Sequence, residues 1–296
     1  MAGKQIERQL NIDADWQLYG TGPAIVQALE KKEIDIAYIG LPPAIIGIER
    51  GVNIKCIAGG HVEGTVLSGN SDFKGIPRTD DLNEIFSQFQ GYSIGVPGNG
   101  SIHDVILKEI IDRFGLAENI KVINFPWADQ ITEAAAKGVV QAAIGTPALA
   151  VALKHYSGFR VLYPPSRTWP NNPSYGILID KDFLEKEREA AKGFLHLHED
   201  AAFFLRNHQS EAAEIISGYT GFIDKEFVLE TLAISPKYCA ALTDAYMKAT
   251  MEFVTCMKRL GYIQRDVLQE EIFDTSLIIE VHPEKDHYNP VPERPF

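Results

Sequence analysis

Residues 20–45 read GTGPAIVQALEKKEIDIAYIGLPPAI, and this stretch decides the class of fold. Gly20, Thr21 and Gly22 are small and let the backbone come close to another group. Pro23 suits the first turn of a helix, where its missing N–H costs nothing. Ile25, Val26 and Leu29 then recur at helical spacing before the charged end Glu30, Lys31, Lys32. IDIAYIG is a short strand closing on Gly40, and LPPA turns the chain into a second apolar helix. The order glycine turn, helix, strand, glycine-proline turn, helix is how an α/β protein builds a crevice at the carboxyl ends of its strands.

The phrase returns in ITEAAAKGVVQAAIGTPALAVAL from Ile131, where Gly145 and Pro147 answer Gly40 and Pro42 at a separation of 105 residues. Solenoids and propellers repeat every ~20–50 residues, so two similar α/β lobes are the simpler reading. The alternative is that α/β crossovers share a common look.

The 296 residues suffice for one large domain or two lobes, and 45% apolar with 23% charged residues is ordinary for a globular chain. A net charge of −12 argues against nucleic acid as a partner. It leaves a small anion open, because one local positive pocket can sit in an acidic protein. Cys56, Cys239 and Cys256 are scattered, with no CxxC, which gives neither a disulfide framework nor a zinc signature; small buried hydrophobes are the expectation. No apolar run reaches the ~18 residues of a membrane span. MAGKQIERQL lacks the apolar core of a signal peptide.

From the start, GKQIERQLNI reads as the end of an amphipathic helix carrying Ile6 and Leu10, and DADWQLYG alternates like a strand. A parallel α/β unit that opens this way lacks its first strand. NIKCIAGG is a strand ending in glycines, and Ser71 to Glu84 reads as loop. The strand Tyr92–Val96 runs through Pro97, Gly98, Asn99 and Gly100 into a long helix capped by Ser101. A glycine-rich turn opening a helix presents free N–H groups and the positive dipole end, a ready anion site; plain capping without a ligand is the other reading. Neither a Walker loop nor GxGxxG is present. FRVLYPP is a strand, RTWPNNPSYGILID is a proline-rich loop feeding another strand, and the chain after Lys181 is almost wholly helical. His196 and His198 alternate on a helix and face apart. His282 and His287 lie in a polar tail, YNPVPERPF at its end, that reads as an exposed arm more than as a metal site.

Taken together, GTGPAIVQALEKKEIDIAYIGLPPAI, GGHVEG, GVPGNGSIHDVILKEII and WADQITEAAAKGVVQAAIGTPA resemble the substrate-binding proteins of ABC importers, nearest to the nitrate/sulfonate/taurine branch and its thiamine-pyrimidine synthase relatives. The likeness runs from about Ile6 to Tyr262. It implies an α/β, two-lobed periplasmic-binding-protein-like fold of type II with the N-terminal strand missing. One lobe holds 1–90 plus 177–296, the other 91–176, and the ligand sits in the cleft between them. It also implies an extracytoplasmic location, although the chain as given carries no leader, and an ABC permease in the membrane as partner, with a monomer as the default state. Such a protein binds without catalysis, cofactor or metal.

By position, the cleft candidates are Thr21, Gly22, Leu41, Pro42, Glu63, Asn99, Gly100, Ser101, His103, Thr146, Trp169 and Tyr175, with Gly64 and Pro147 beside them. Each has a plain reading as turn, cap or packing. The chemistry expected is capture of a small anionic or zwitterionic molecule by N–H and hydroxyl groups at the helix starts near Thr21 and Ser101, with Trp169 and Tyr175 over its apolar part. An enzyme of the thiamine-pyrimidine synthase kind, which uses a histidine with pyridoxal phosphate and iron, is the rival; the missing cysteine cluster weighs against it, and His61 and His103 are its histidines to test. Hydrolysis through Ser101 and His103 fails, since i and i+2 on a helix do not face each other. A cytosolic ligand sensor is the third reading.

Overall fold

A computed structural model describes residues 4–288. In chain order its elements are α1 (Gln5–Leu10), α2 (Gly22–Glu30), β1 (Ile36–Ile39), α3 (Leu41–Glu49), β2 (Ile54–Val62), β3 (Val66–Asn70), α4 (Leu82–Ser87), β4 (Ser93–Pro97), α5 (Ile102–Arg113), β5 (Lys121–Phe125), α6 (Ala128–Ala136), β6 (Ala142–Gly145) and α7 (Pro147–Ser157). There follow β7 (Phe159–Tyr163), α8 (Pro165–Thr168), β8 (Pro173–Asp180), α9 (Lys181–Lys186), α10 (Arg188–Asn207), α11 (Gln209–Thr220), α12 (Lys225–Ile234), α13 (Asp244–Arg259), α14 (Gln269–Ile272) and α15 (Ile278–Val281).

The strands form two sheets. One has the order β1-β8-β2, with β8 antiparallel to both neighbours. The other has the order β5-β4-β6-β3-β7, in which β4 runs parallel to β5 and β6 while β3 is antiparallel to β6 and β7. The chain passes into the five-stranded sheet between β2 and β3 and returns between β7 and β8. The β3 and α4 region therefore sits with the second sheet, so the change-over falls near residue 64 rather than at the expected 90. The returning segment is zipped to the outgoing one. Glu63 N–H donates to the Asn172 carbonyl at 2.8 Å, Asn171 N–H donates to Glu63 Oε1 at 2.9 Å, and Lys237 pairs with Glu63 Oε2 at 2.6 Å.

Local chemistry explains the element starts. Pro42 and Pro43 open α3 where their missing N–H groups are not needed. Ser101 and Thr146 accept N–H bonds from Asp104 and Leu149, both at 3.2 Å, and so cap α5 and α7. Asp81 caps α4 inside the stretch read as loop. One apolar cluster runs through both halves, from Leu29 and Ile45 through Phe86, Ile94 and Ile106 to Phe253. Across it Arg259 of α13 pairs with Glu109 and Asp112 of α5, and the Tyr262 hydroxyl donates to the Asp104 carboxylate.

Two further expectations are corrected. Residues 13–19 form no strand, because no neighbouring strand pairs with them; Trp16, like Ile6 and Leu10, packs against the cluster around Ile57, Ile177 and Leu195, and Leu18 is 86% exposed. The tail through residue 288 is not an exposed arm, since His282 and Tyr288 are buried. The remainder of YNPVPERPF lies outside the described residues.

Ile45 is fully buried at the junction of these layers. Ile45→Ala is expected to cost about 2–5 kcal/mol of unfolding free energy in urea titration; a loss below ~1 kcal/mol would mean that the junction is not packed as described.

Candidate functional site

A hollow of about 250 Å³ opens where helices of both sheets begin. Its wall takes Gly20, Thr21 and Gly22 from the start of α2, Gly40 and Pro43 from α3, Ser101 and Ile102 from α5, Ala128 from α6, and Thr146 from α7. Five helix N-termini thus share one space. Each brings a positive dipole end, but they differ in how much of it stays available. The first turns of α2 and α3 carry neither a side-chain cap nor an acid, and α7 carries no acid. Two prolines strip N–H groups from α3, so α2 is the best-presented tip. On α5 the dipole is partly answered by Asp104, which is fully buried and accepts the Gly100 N–H at 2.8 Å and the Asn124 side-chain amide at 2.9 Å. Asp129 stands in the first turn of α6.

Among the described residues, none lining the hollow is Asp, Glu, Lys or Arg. Hydroxyls dominate instead, on Tyr19, Thr21, Tyr38, Ser101, Thr146, Ser174 and Tyr175. Tyr38 and Tyr175 meet edge to face at 5.6 Å, and burial raises the Tyr175 phenol pKa, so both stay neutral. His103 is buried, with Nδ1 at 3.0 Å from Thr65 Oγ1, and burial pushes its pKa down to about 4. It is a neutral imidazole at physiological pH, able to hydrogen-bond without adding charge. The space is therefore uncharged and mostly apolar in surface, with hydroxyls and amide dipoles at the helix starts.

Glycine brings the two halves together here. A Cβ on Gly20 would lie 2.4 Å from the Pro126 carbonyl oxygen and 2.8 Å from the Trp127 ring. One on Gly98 would lie 2.7 Å from the Thr21 methyl. Both contacts join the turn before α2 to loops of the five-stranded sheet.

Of the residues singled out from sequence, Thr21, Gly22, Ser101, His103, Thr146 and Tyr175 line this hollow. The others do not. Leu41 and Pro42 are buried in the α3 core. Glu63 is committed to the crossovers described above. Asn99 accepts from Lys108 Nζ at 2.9 Å, and Gly100, at φ +80°, gives its N–H to Asp104. Trp169 stacks on Phe253 at 4.2 Å and lines the separate hollow between α5 and α13. His61 is buried, with its Nε2 at 2.9 Å from the Ser235 carbonyl oxygen, and does not reach the hollow either. Tyr19, Tyr38 and Ser174 were missed. Tyr38 alternates with buried Ala37 and Ile39 along β1, so its outward position was readable; Ser174 depended on where β8 would run.

Two larger hollows have charged linings. One of about 400 Å³ between α5 and α13 carries Glu109, Arg113, Glu252 and Arg259. A groove of about 510 Å³ between α6 and α7 carries Asp129 and Glu133. Neither offers the uncharged ring of helix starts.

The sequence profile of the NMT1-like family matches residues 11–217. The chain belongs to the NMT1-like family. Among curated relatives, a binding protein of Brucella abortus is 25% identical over 214 residues, covering 70% of this NMT1-like chain and 62% of the relative. The chain thus spans less than two thirds of the curated relatives it matches. Among solved structures, the alkanesulfonate-binding protein SsuA of Xanthomonas axonopodis, bound to MOPS, superposes with a TM-score of 0.77 at 16% identity, covering 91% of each chain. A ligand-binding component of an ABC-type import system from Staphylococcus aureus, solved with zinc bound, gives a TM-score of 0.78 at 17% identity, covering 95% of this chain and 93% of that one. The periplasmic nitrate-binding protein NrtA of Synechocystis gives 0.71 at 14% identity, covering 89% and 78%. The fold of this NMT1-like protein is that of the periplasmic binding proteins.

The depressed pKa of His103 has a consequence for stability. Its folded value of about 4 lies below the ordinary 6.5, so the unfolded chain takes up the proton first as pH falls. The contribution is fully present above pH 6.5 and is lost as pH falls towards 4. From pH 7 to pH 5 the wild type is expected to lose about 2 kcal/mol more unfolding free energy than His103→Asn. Urea titrations at the two pH values check this; parallel losses would show that His103 is protonated in the folded protein.

Proposed function

We propose that this protein is the solute-binding component of an ABC importer, a non-catalytic carrier that captures a small anionic or zwitterionic solute in the hollow between its two sheets. The observation that carries the reading is the convergence of five helix starts on a space without a formal charge. Such a space favours a negative group through amide N–H donors and dipoles, and no lysine or arginine is required. The volume of about 250 Å³ suits a headgroup with a short organic arm. The neighbouring structures of sulfonate and nitrate binders support the class of solute, and the NMT1-like match and the curated binding-protein relatives support the class of protein.

Residues up to the first crossover together with those from β8 onward form one lobe, and the five-stranded sheet with its helices forms the other. The zipped crossovers around Glu63 and Asn172 act as the hinge, and closure buries the solute. Thr21, Gly22, Ser101, Thr146 and the neutral His103 contact its charged end, and Tyr38 and Tyr175 cover the rest. The protein works as a monomer outside the cytoplasm, and the closed form docks on a membrane permease.

Calorimetric titration with short alkanesulfonates, taurine, nitrate and bicarbonate tests this. At least one is expected to bind at a single saturable site. Gly20→Ala, which wedges the turn before α2 against Pro126, is expected to weaken that binding by about tenfold or more. No binding by any of these anions, or equal affinity in the variant, would refute the reading.

A further inference from the structure

Away from the hollow, Cys239, His282 and His287 bring three soft donor atoms together. Cys239 Sγ lies 3.4 Å from His282 Nε2 and 3.6 Å from His287 Nδ1, and the two ring nitrogens are 3.3 Å apart. Zinc binds thiolate at about 2.3 Å and imidazole at about 2.0–2.1 Å, so a tetrahedral site has S···N edges of about 3.5 Å and an N···N edge of about 3.3 Å. The triangle matches one face of that tetrahedron. Glu199 Oε1 stands 3.9 Å from each ring nitrogen. It also accepts from Arg206 at 2.7 Å, and Glu199 Oε2 accepts the Ala240 N–H at 3.0 Å, which ties the carboxylate to the Cys239 segment.

Internal hydrogen bonding satisfies this cluster poorly. The sulfur already accepts two backbone N–H groups, from His287 at 3.4 Å and Ala241 at 3.5 Å. Two ring nitrogens then crowd the same acceptor. His282 is buried, and its Nδ1 has no hydrogen-bond partner among the described residues, so the ring is held from its Nε2 side alone. A cation at the centre of the triangle would take up all three lone pairs at once.

We propose that Cys239, His282 and His287 form a structural zinc site, which the Glu199 carboxylate moves in to complete as fourth ligand. The donor set is that of zinc rather than of magnesium or calcium, which prefer oxygen. The site joins three parts of the chain distant in sequence: α10 through Glu199, the segment paired with β2, and the C-terminal tail. That segment is bound to β2 by Gly59 N–H to the Ala240 carbonyl at 2.8 Å and Cys239 N–H to the Gly60 carbonyl at 3.1 Å. The tail is fixed next to it by the Tyr288 hydroxyl, which donates to the Cys239 carbonyl at 2.6 Å. The bound ion pins the tail onto the three-stranded sheet, and this role does not depend on what the hollow binds.

The full chain, stripped with a chelator and then given zinc alone, tests the site. Metal analysis after desalting is expected to find one zinc per chain, and zinc is expected to raise the thermal midpoint. Cobalt in its place should show a sulfur-to-metal charge-transfer band that Cys239→Ser abolishes. His287→Ala removes a half-buried ring that the fold tolerates, and it should weaken zinc by about tenfold or more, as should Glu199→Gln. Failure to retain zinc, equal retention by His287→Ala, or cobalt binding without the sulfur band would overturn the assignment; unchanged affinity in Glu199→Gln would overturn the fourth ligand.

Discussion

The structure depends on a close contact between two backbones. Gly20 and Gly98 let the turn before α2 press against the loops of the five-stranded sheet, with no room for a Cβ at either position. That approach sets the start of α2 beside the starts of α5, α6 and α7. Without it the helix dipoles would point into separate patches of solvent, where water screens each within its first turn. With it they act on one shared hollow, partly shielded from solvent, where fixed dipoles count for more. An acidic chain with a net charge of −12 can in this way hold a locally positive site without placing a cation there.

Packing and connectivity serve the same end. The apolar cluster continues from α2 and α3 through α5 to α13, so the two sheets are held along one side by a shared core. The crossovers run next to each other and are cross-linked by Glu63 and Asn171. Glu63 itself takes a positive φ of 59°, a conformation a non-glycine residue keeps only where its surroundings fix it, here through Asn172, Asn171 and Lys237. Further along, Lys154 and His155 of α7 reach Glu230 of α12 at 2.7 and 3.1 Å. These contacts are partly exposed and add little stability individually, but they show the helical rear half wrapping back onto the second sheet.

Much of this was legible in the sequence where the signal is local. The glycine-proline turns at Gly40 and Gly145, the cap at Ser101, and the period of α2 are short-range features, and they placed the strand ends and helix starts around the hollow. What failed depended on contacts distant in sequence. Trp169 looks like a cleft aromatic until Phe253 is brought beneath it. Glu63 looks like a ligand contact until Asn171, Asn172 and Lys237 are brought round it. The alternation in DADWQLYG is real, but a strand needs a partner, and none lies alongside. His282 and His287 read as tail residues because Cys239, more than forty positions away, gives no sign in sequence that it will meet them.

The most direct measurement of the central claim is the position of a bound anion. A crystal of the protein grown with ethanesulfonate, with diffraction data collected for the anomalous signal of sulfur, locates the sulfonate independently of any prior placement. The account expects that peak inside the hollow, within hydrogen-bond reach of the amides that open α2 and of the Thr146 and Ser101 hydroxyls. A sulfonate lying in the charged hollow between α5 and α13, or one seated with its organic end towards the helix starts, would contradict it.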